Sequence, residues 1–280
     1  MWQNQNNGMQ EFLTFLQGKS QLKLCIIDNN NLQFCEQNKN ELTPGNIFSY
    51  YDAVLIPEWV ANEVIHSEPR KAYIEAILVP LFILKEKDYL SLIDYHDISL
   101  MYLFCHASMP GRTPFKYLKK KLSLIEKQQE DIADDWITAY YQDGFEIVNH
   151  SKKNAGENSI LVLAVLLVHY LKTRLSQVTI CSNDIEVRDI KTRIVDYVMG
   201  SPYFGNPARN NMTFLSTDLI LQNELKKGNI QLVDIQSIRT NQRRLFGFIR
   251  KGDSTTEEID RIVDTPEFLS LLAEELTIHF

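Results

Sequence analysis

The stretch Ile160–Val168 reads ILVLAVLLV, apolar without a break. It lies inside a helix expected from Glu157 to Lys172, and a helix with no polar face has to be covered on all sides by the rest of the protein. The apolar run is about half of what a bilayer-spanning helix needs. The polar start MWQNQNNG has neither the basic nor the apolar region of a signal peptide. The expectation is a cytoplasmic protein with no membrane partner.

Around that helix one layout occurs twice. Leu22–Ile27 is a compact β-rich run ending at Asp28, followed by a short helical segment through Glu36. Val178–Cys181 is a second such run, ending in Ser182-Asn183-Asp184 and followed by a helix with apolar Val187, Ile190, Ile194 and Val198. Val54–Ile56 gives a third strand, stopped by Pro57 at the start of a helix to about His66 that carries Glu63. Strands alternating with helices predict an α/β fold with a mainly parallel sheet.

The remaining segments are more varied. Residues 1–21 are expected as an N-terminal helical appendage centred on Met9–Leu16, and 22–280 as one domain. Helices are expected near Lys71–Leu78, Tyr89–Ala107, Phe115–Gln129 and Ile132–Tyr141, with a strand at Leu81–Leu84. Thr213–Leu215 leads to Ser216 as N-cap of a helix Thr217–Lys227 that stops at Gly228. The tail reads as strands at Ile230–Ile235 and Leu245–Ile249, a charged turn around Gly252–Glu258, and a last helix from Thr265-Pro266.

In an open α/β sheet, residues just past the strand ends meet at the crevice where strand order reverses. Asp28 and Asp184 satisfy that rule, Glu157 stands at the amino end of the buried helix, and Glu63 enters from the helix after Val54–Ile56. Like charges about 4 Å apart repel by roughly 4 kcal/mol per pair at an effective dielectric of about 20, so gathered carboxylates call for a cation. Cys25, Cys35, Cys105 and Cys181 show no C-x-x-C spacing, and the six histidines form no local metal signature. Oxygen ligands without His or Cys select Mg²⁺ or Mn²⁺, and the matching chemistry is phosphodiester hydrolysis.

The order and setting of these acids resemble the PIN-domain nucleases. IIDNNN at Ile26–Asn31 is similar to that family's D-x-N after the first strand, and IPEWVANEV at Ile56–Val64 to its P-x-x-V-x-x-E. GENSILVLA at Gly156–Ala164 resembles its G-E-x-x-A-L-A-L-A, and CSNDIEVR at Cys181–Arg188 its [ST]-x-D segment. The resemblance implies a three-layer α/β/α Rossmann-like PIN fold, and the long interval between Glu63 and Glu157 implies a helical insertion at about 85–150. It further implies a Mg²⁺- or Mn²⁺-dependent endoribonuclease with Asp28, Glu63, Glu157 and Asp184 as catalytic and metal-binding residues. Asn30 and Ser182 are then expected to hold those carboxylates in place. The bland alternative makes Asn30 a helix cap and Ser182 a turn former.

With a net charge of −7, the chain has to hold a polyanion through local basic groups or bridging ions rather than its overall field. Lys152, Lys153 and Arg188 are expected to contact single-stranded RNA. Lys116, Lys119, Lys120 and Lys121 form a second basic cluster, and Arg239, Arg243, Arg244, Arg250 and Lys251 a third strip. Solvated helix faces are the commoner fate of such groups. Two other classes of function compete. One is a catalytically weak PIN-like module that binds RNA or a protein, including a toxin-like form with an antitoxin partner or a homo-oligomer. The other is a metal-dependent phosphatase for small phosphate esters.

Overall fold

A computed structural model describes residues 5–92, 97–148, 151–200, 204, 211–239, 244–251, 256–274 and 276–278. In chain order the elements run β1 (Gln5–Asn7), α1 (Met9–Phe15), β2 (Leu22–Ile27), α2 (Asn29–Gln37), α3 (Pro44–Phe48), β3 (Ala53–Pro57), α4 (Glu58–Val64), α5 (Glu68–Glu75) and β4 (Leu81–Leu84). A 3₁₀ segment (Glu86–Leu92) leads into α6 (Asp97–His106), α7 (Thr113–Glu126), α8 (Trp136–Asp143) and the hairpin β5 (Ile147–Val148) and β6 (Ser151–Lys152). The chain continues through α9 (Ala155–Tyr170), β7 (Leu175–Cys181), α10 (Ile185–Gly200), β8 (Met212–Phe214), α11 (Thr217–Lys226) and α12 (Leu232–Ile238). It ends in β9 (Arg244–Lys251), β10 (Thr256–Val263), α13 (Thr265–Leu272) and β11 (Thr277–Ile278).

The runs LKLCII, AVLIP and LFIL become β2, β3 and β4 because strands of a parallel sheet are buried on both faces and so carry near-continuous apolar sequence. They lie in a six-stranded sheet of order β1-β4-β3-β2-β7-β8, with every neighbouring pair parallel. Helices cover both faces, giving the expected three-layer α/β/α, Rossmann-like architecture. From β2 the chain steps outward to β3 and β4, returns through the helical segments, and resumes on the other side of β2 with β7 and β8. Strand order therefore reverses between β2 and β7. There Ile26 pairs with Ile180 and Ile27 with Cys181, so Asp28 and Ser182 leave the sheet side by side.

Helix α9 packs on β7, β3 and β2 and touches α4, α6 and α10, which explains why Ile160–Leu167 have no polar face. Its start crowds α4. A Cβ at Gly156 would lie 3.3 Å from Val60 Cγ2 and 3.6 Å from Glu63 Oε1, so glycine permits the close approach there. No helix among the described residues is long and apolar enough to cross a membrane.

Four segments differ from the sequence expectation. Before α1, β1 pairs with β4 and adds an edge strand to the sheet, and Phe12 of α1 packs edge-on to Phe82 at 5.3 Å. The helix expected over Tyr89–Ala107 is a 3₁₀ segment to Leu92 and α6 from Asp97, with 93–96 outside the described residues. Ile230–Ile235 contributes to a helix rather than a strand, because Gln231 and Asp234 close a capping box that starts α12. The charged turn expected at Gly252–Glu258 gives way to β10 from Thr256, with 252–255 outside the described residues. β10, β9 and β11 make a separate antiparallel sheet.

Arg239 does not belong to a basic surface strip. It is fully buried, with Nε 3.0 Å from Asp218 Oδ1 and Nη2 3.0 Å from Asp218 Oδ2, and its guanidinium lies over Phe268 at 4.5 Å. Nη2 also donates to the Val263 carbonyl at 3.2 Å. This two-pronged pair ties α11 to the chain around β10 and α13. The side chains of Arg243, Arg244, Arg250 and Lys251 lie outside the described residues.

Candidate functional site

The crevice between β2 and β7 is built by short backbone links. Asp28 N–H donates to the Cys181 carbonyl at 2.9 Å, extending the strand pairing by one residue past the sheet. Ser182 Oγ donates to Asp28 Oδ2 at 3.2 Å and accepts from Asp184 N–H at 3.1 Å. One hydroxyl thus links the acid after β2 to the backbone of the acid after β7. Asn183 Oδ1 accepts from Thr217 N–H at 2.7 Å, which fastens the turn after β7 to the start of α11.

Asp28 is 3% exposed, and its carboxyl is pushed up to about 8. Burial is the largest cause, followed by the negative charges of Glu157 and then Glu63; hydrogen bonds from Ser182 and the Asn29 backbone oppose the rise. Glu63 is also raised, first by burial, against the Asn29 amide and the charge of Arg70. Asn29 Nδ2 donates to Glu63 Oε2 at 3.0 Å, and Arg70 Nη1 donates to Asn29 Oδ1. A relay from α5 through α2 therefore holds the carboxylate on α4.

Glu157 sits half-buried in the first turn of α9, where the partial positive charge of the helix amino end favours an anion. Glu157 and Asp184 line one narrow cavity of about 30 Å³, together with Lys153 and Arg112. Three of the expected acids thus act on one another through Asp28, and the fourth shares a cavity with Glu157. They do not close into a ligand cage: among the described residues no group of three or more His, Cys, Asp or Glu stands at metal-holding spacing. In chemistry the donor set fits a hard divalent cation, since every carboxylate oxygen is a hard ligand and no thiol or imidazole intrudes.

The residues chosen from sequence to support the acids divide. Ser182 makes the Asp28 contact described above, whereas Asn30 is exposed. Its neighbours face inward instead. Asn29 holds Glu63, and buried Asn31 donates to the Leu215 carbonyl at 3.0 Å. Sequence reasoning also passed over Arg70 and Glu86. The Glu86 carboxylate is buried, accepts from Trp59 N–H at 3.2 Å and from Ser159 Oγ, and is pushed up to about 7 by burial. The only sequence signal for it was an acid two residues past a strand end.

Among the expected basic groups, exposed Lys153 lines the acidic cavity. Lys152 turns away, donating through Nζ to the Tyr141 and Gln142 carbonyls at the end of α8 and lying 5.9 Å from the Trp59 ring. The Arg188 side chain lies outside the described residues. On α7, Lys116, Lys119 and Lys120 are exposed and Lys121 pairs with Glu130. A larger cavity of about 1030 Å³ lies between β7, β8, α3 and α11, and none of the four acids lines it. On its floor Gln177, Thr179 and Thr213 bond one another at 2.9–3.0 Å.

Compared with models of known protein families, with curated proteins and with solved structures, the chain matches none of them.

Proposed function

We propose that the crevice binds Mg²⁺ or Mn²⁺ and hydrolyses phosphodiester bonds in RNA, as the resemblance to PIN-domain nucleases implies. The observation that carries this reading is the state of Asp28: a carboxyl at a strand-order reversal, buried, and raised to about 8 by burial and by two neighbouring acids. Such a group is costly to ionise until a cation neutralises it. Asp28 and Glu157 would hold the ion, with Glu63 and Asp184 contributing directly or through water. When bound, such an ion would lower the pKa of a water and offset negative charge on a phosphodiester.

The chain's own groups do the rest. Ser182 fixes the rotamer of Asp28 and couples it to the turn that bears Asp184. Asn29 and Arg70 keep Glu63 beside the first turn of α9. Lys153 offers a positive charge to a phosphate entering the cavity.

An assay on single-stranded RNA with Mg²⁺, with Mn²⁺ and with chelator tests the reading. Cleavage that needs the ion and falls more than about 100-fold in Asp28→Asn is expected, beyond the 10–100-fold that loss of a merely supporting group costs. Full-rate cleavage by the variant, or in chelator, overturns it. The open spacing of the acids favours one second reading, a module that binds RNA without cutting it. Metal-independent RNA binding without products selects that alternative.

A further inference from the structure

The cavity of about 1030 Å³ beside β7 and β8 has no part in the reading above. It stands at the upper end of the range of about 300–1,000 Å³ for small-molecule pockets. Strands of a parallel sheet are ordinarily apolar on both faces, as β3 and β4 are. Where β7 and β8 line this cavity, Gln177, Thr179 and Thr213 stand instead. Gln177 Nε2 donates to both threonine hydroxyls at 2.9 Å, the two hydroxyls bond each other at 3.0 Å, and the hydroxyl of buried Tyr51 bonds Thr179. Both amide protons and two of the three hydroxyl protons are spent inside this group. One hydroxyl proton and Gln177 Oε1 remain, a donor and an acceptor in the cavity wall.

The Met212 carbonyl, one residue before Thr213, accepts from Lys191 Nζ of α10 at 3.0 Å. That ammonium also lies 5.1 Å from the Phe214 ring. Burial pulls its pKa below the usual lysine value, and among the described residues no carboxylate pairs with it to oppose the shift. Glu224, on the same wall, spends its oxygens on Lys227 and Asn229 at 2.7 Å each, and Asp189 and Asp260 have interactions of their own. Exposed Lys226 adds a second positive charge from α11. Tyr50 and Tyr51, meeting edge to face at 5.4 Å, and Ile47 of α3 give the cavity an apolar, aromatic side.

These parts describe an anion attached to a flat ring whose edge both donates and accepts. Nucleobases have such edges, and aromatic side chains take their faces. We propose that this cavity binds a nucleoside 5′-monophosphate, with the base edge on Gln177 and its hydroxyl neighbours and the phosphate at Lys191. Lysine serves a phosphate as a point charge. The site is independent of the nuclease reading, because none of Asp28, Glu63, Glu157 and Asp184 lines it.

The full chain is titrated calorimetrically with the four common ribonucleoside 5′-monophosphates, with the matching nucleosides and with inorganic phosphate, first in chelator and then in Mg²⁺. At least one nucleotide is expected to bind with a Kd of about 100 µM or tighter in both buffers, and its nucleoside and phosphate alone at least about tenfold more weakly. Lys191→Met keeps an apolar stem over Phe214 without the charge, and is expected to bring the nucleotide down to the affinity of its nucleoside. Thr213→Val, at a half-buried position, is expected to weaken the nucleotide about 3–10-fold. Absence of binding by all four nucleotides overturns the proposal. So does binding that appears only with Mg²⁺, which belongs to the acidic crevice, or binding that both variants leave intact. Phosphate alone binding as tightly as the nucleotide replaces the proposal with a plain anion site. Cleavage of RNA by the native chain, present or absent, bears on the crevice and leaves this outcome unchanged.

Discussion

Asp28 couples the cleft to pH. Its carboxyl is raised from 3.8 to about 8, so between those values the folded chain holds a proton that the unfolded chain releases. The stabilisation is complete below about pH 4 and is lost as pH rises through about 8. Glu86, raised from 4.5 to about 7, acts in the same direction within that window. In chelator, the melting temperature is therefore expected to fall from pH 5 to pH 8. Asp28→Asn keeps the shape without the charge and should raise it at pH 8 by about 2–6 °C, taking 1–2 kcal/mol for a chain of this size; a less stable variant at pH 8 contradicts the repulsion. Adding Mn²⁺ should stabilise the native chain at pH 8 and do markedly less for Asp28→Asn, and equal shifts in the two melts would detach the ion from this carboxyl. At this scale the acids were legible in sequence because strand ends and helix starts announce them. Their neighbours were not. Helix α2 begins at Asn29, and each residue turns about 100° further round the axis, so Asn29 meets Glu63, Asn30 meets water and Asn31 meets the core.

The buried Arg239–Asp218 pair is the joint between α11 and the chain around β10 and α13. Asp218→Ala strands a guanidinium in an apolar setting beside Phe268 and is expected to cost about 3–5 kcal/mol, read by denaturant unfolding. A loss under about 1 kcal/mol would show that the joint is solvated. The same element shows the limit of reading charge by spacing: five cations near one another in sequence suggested a strip, yet the first of them is interior. Apolar alternation likewise suggested a strand at Ile230–Ile235, where a two-residue cap decides for helix. The parallel strands were easier, since β2, β3 and β4 are buried on both faces and signal themselves by apolar runs.

For the whole molecule, the repeated sequence of strand, acid and helix was enough to set the layered parallel architecture. It did not reveal β1. Gln5-Asn6-Asn7 has no apolar pattern, and its backbone pairs with β4. Nor did it reveal that the helical insertion is clamped by the helices of the acidic cleft, because those contacts run through Asn158, Ser159 and Arg193, whose types are common on surfaces.

Ser182 and Asp28 stand 154 positions apart along the chain, and their hydrogen bond lies in the seam between β2 and β7. A polypeptide leaving the ribosome presents Asp28 to water long before its seam partner exists, and joining ends so distant is entropically slow. The carboxylates thus meet only after the chain has been translated past residue 184, so their mutual repulsion burdens a later step of folding than the making of β2.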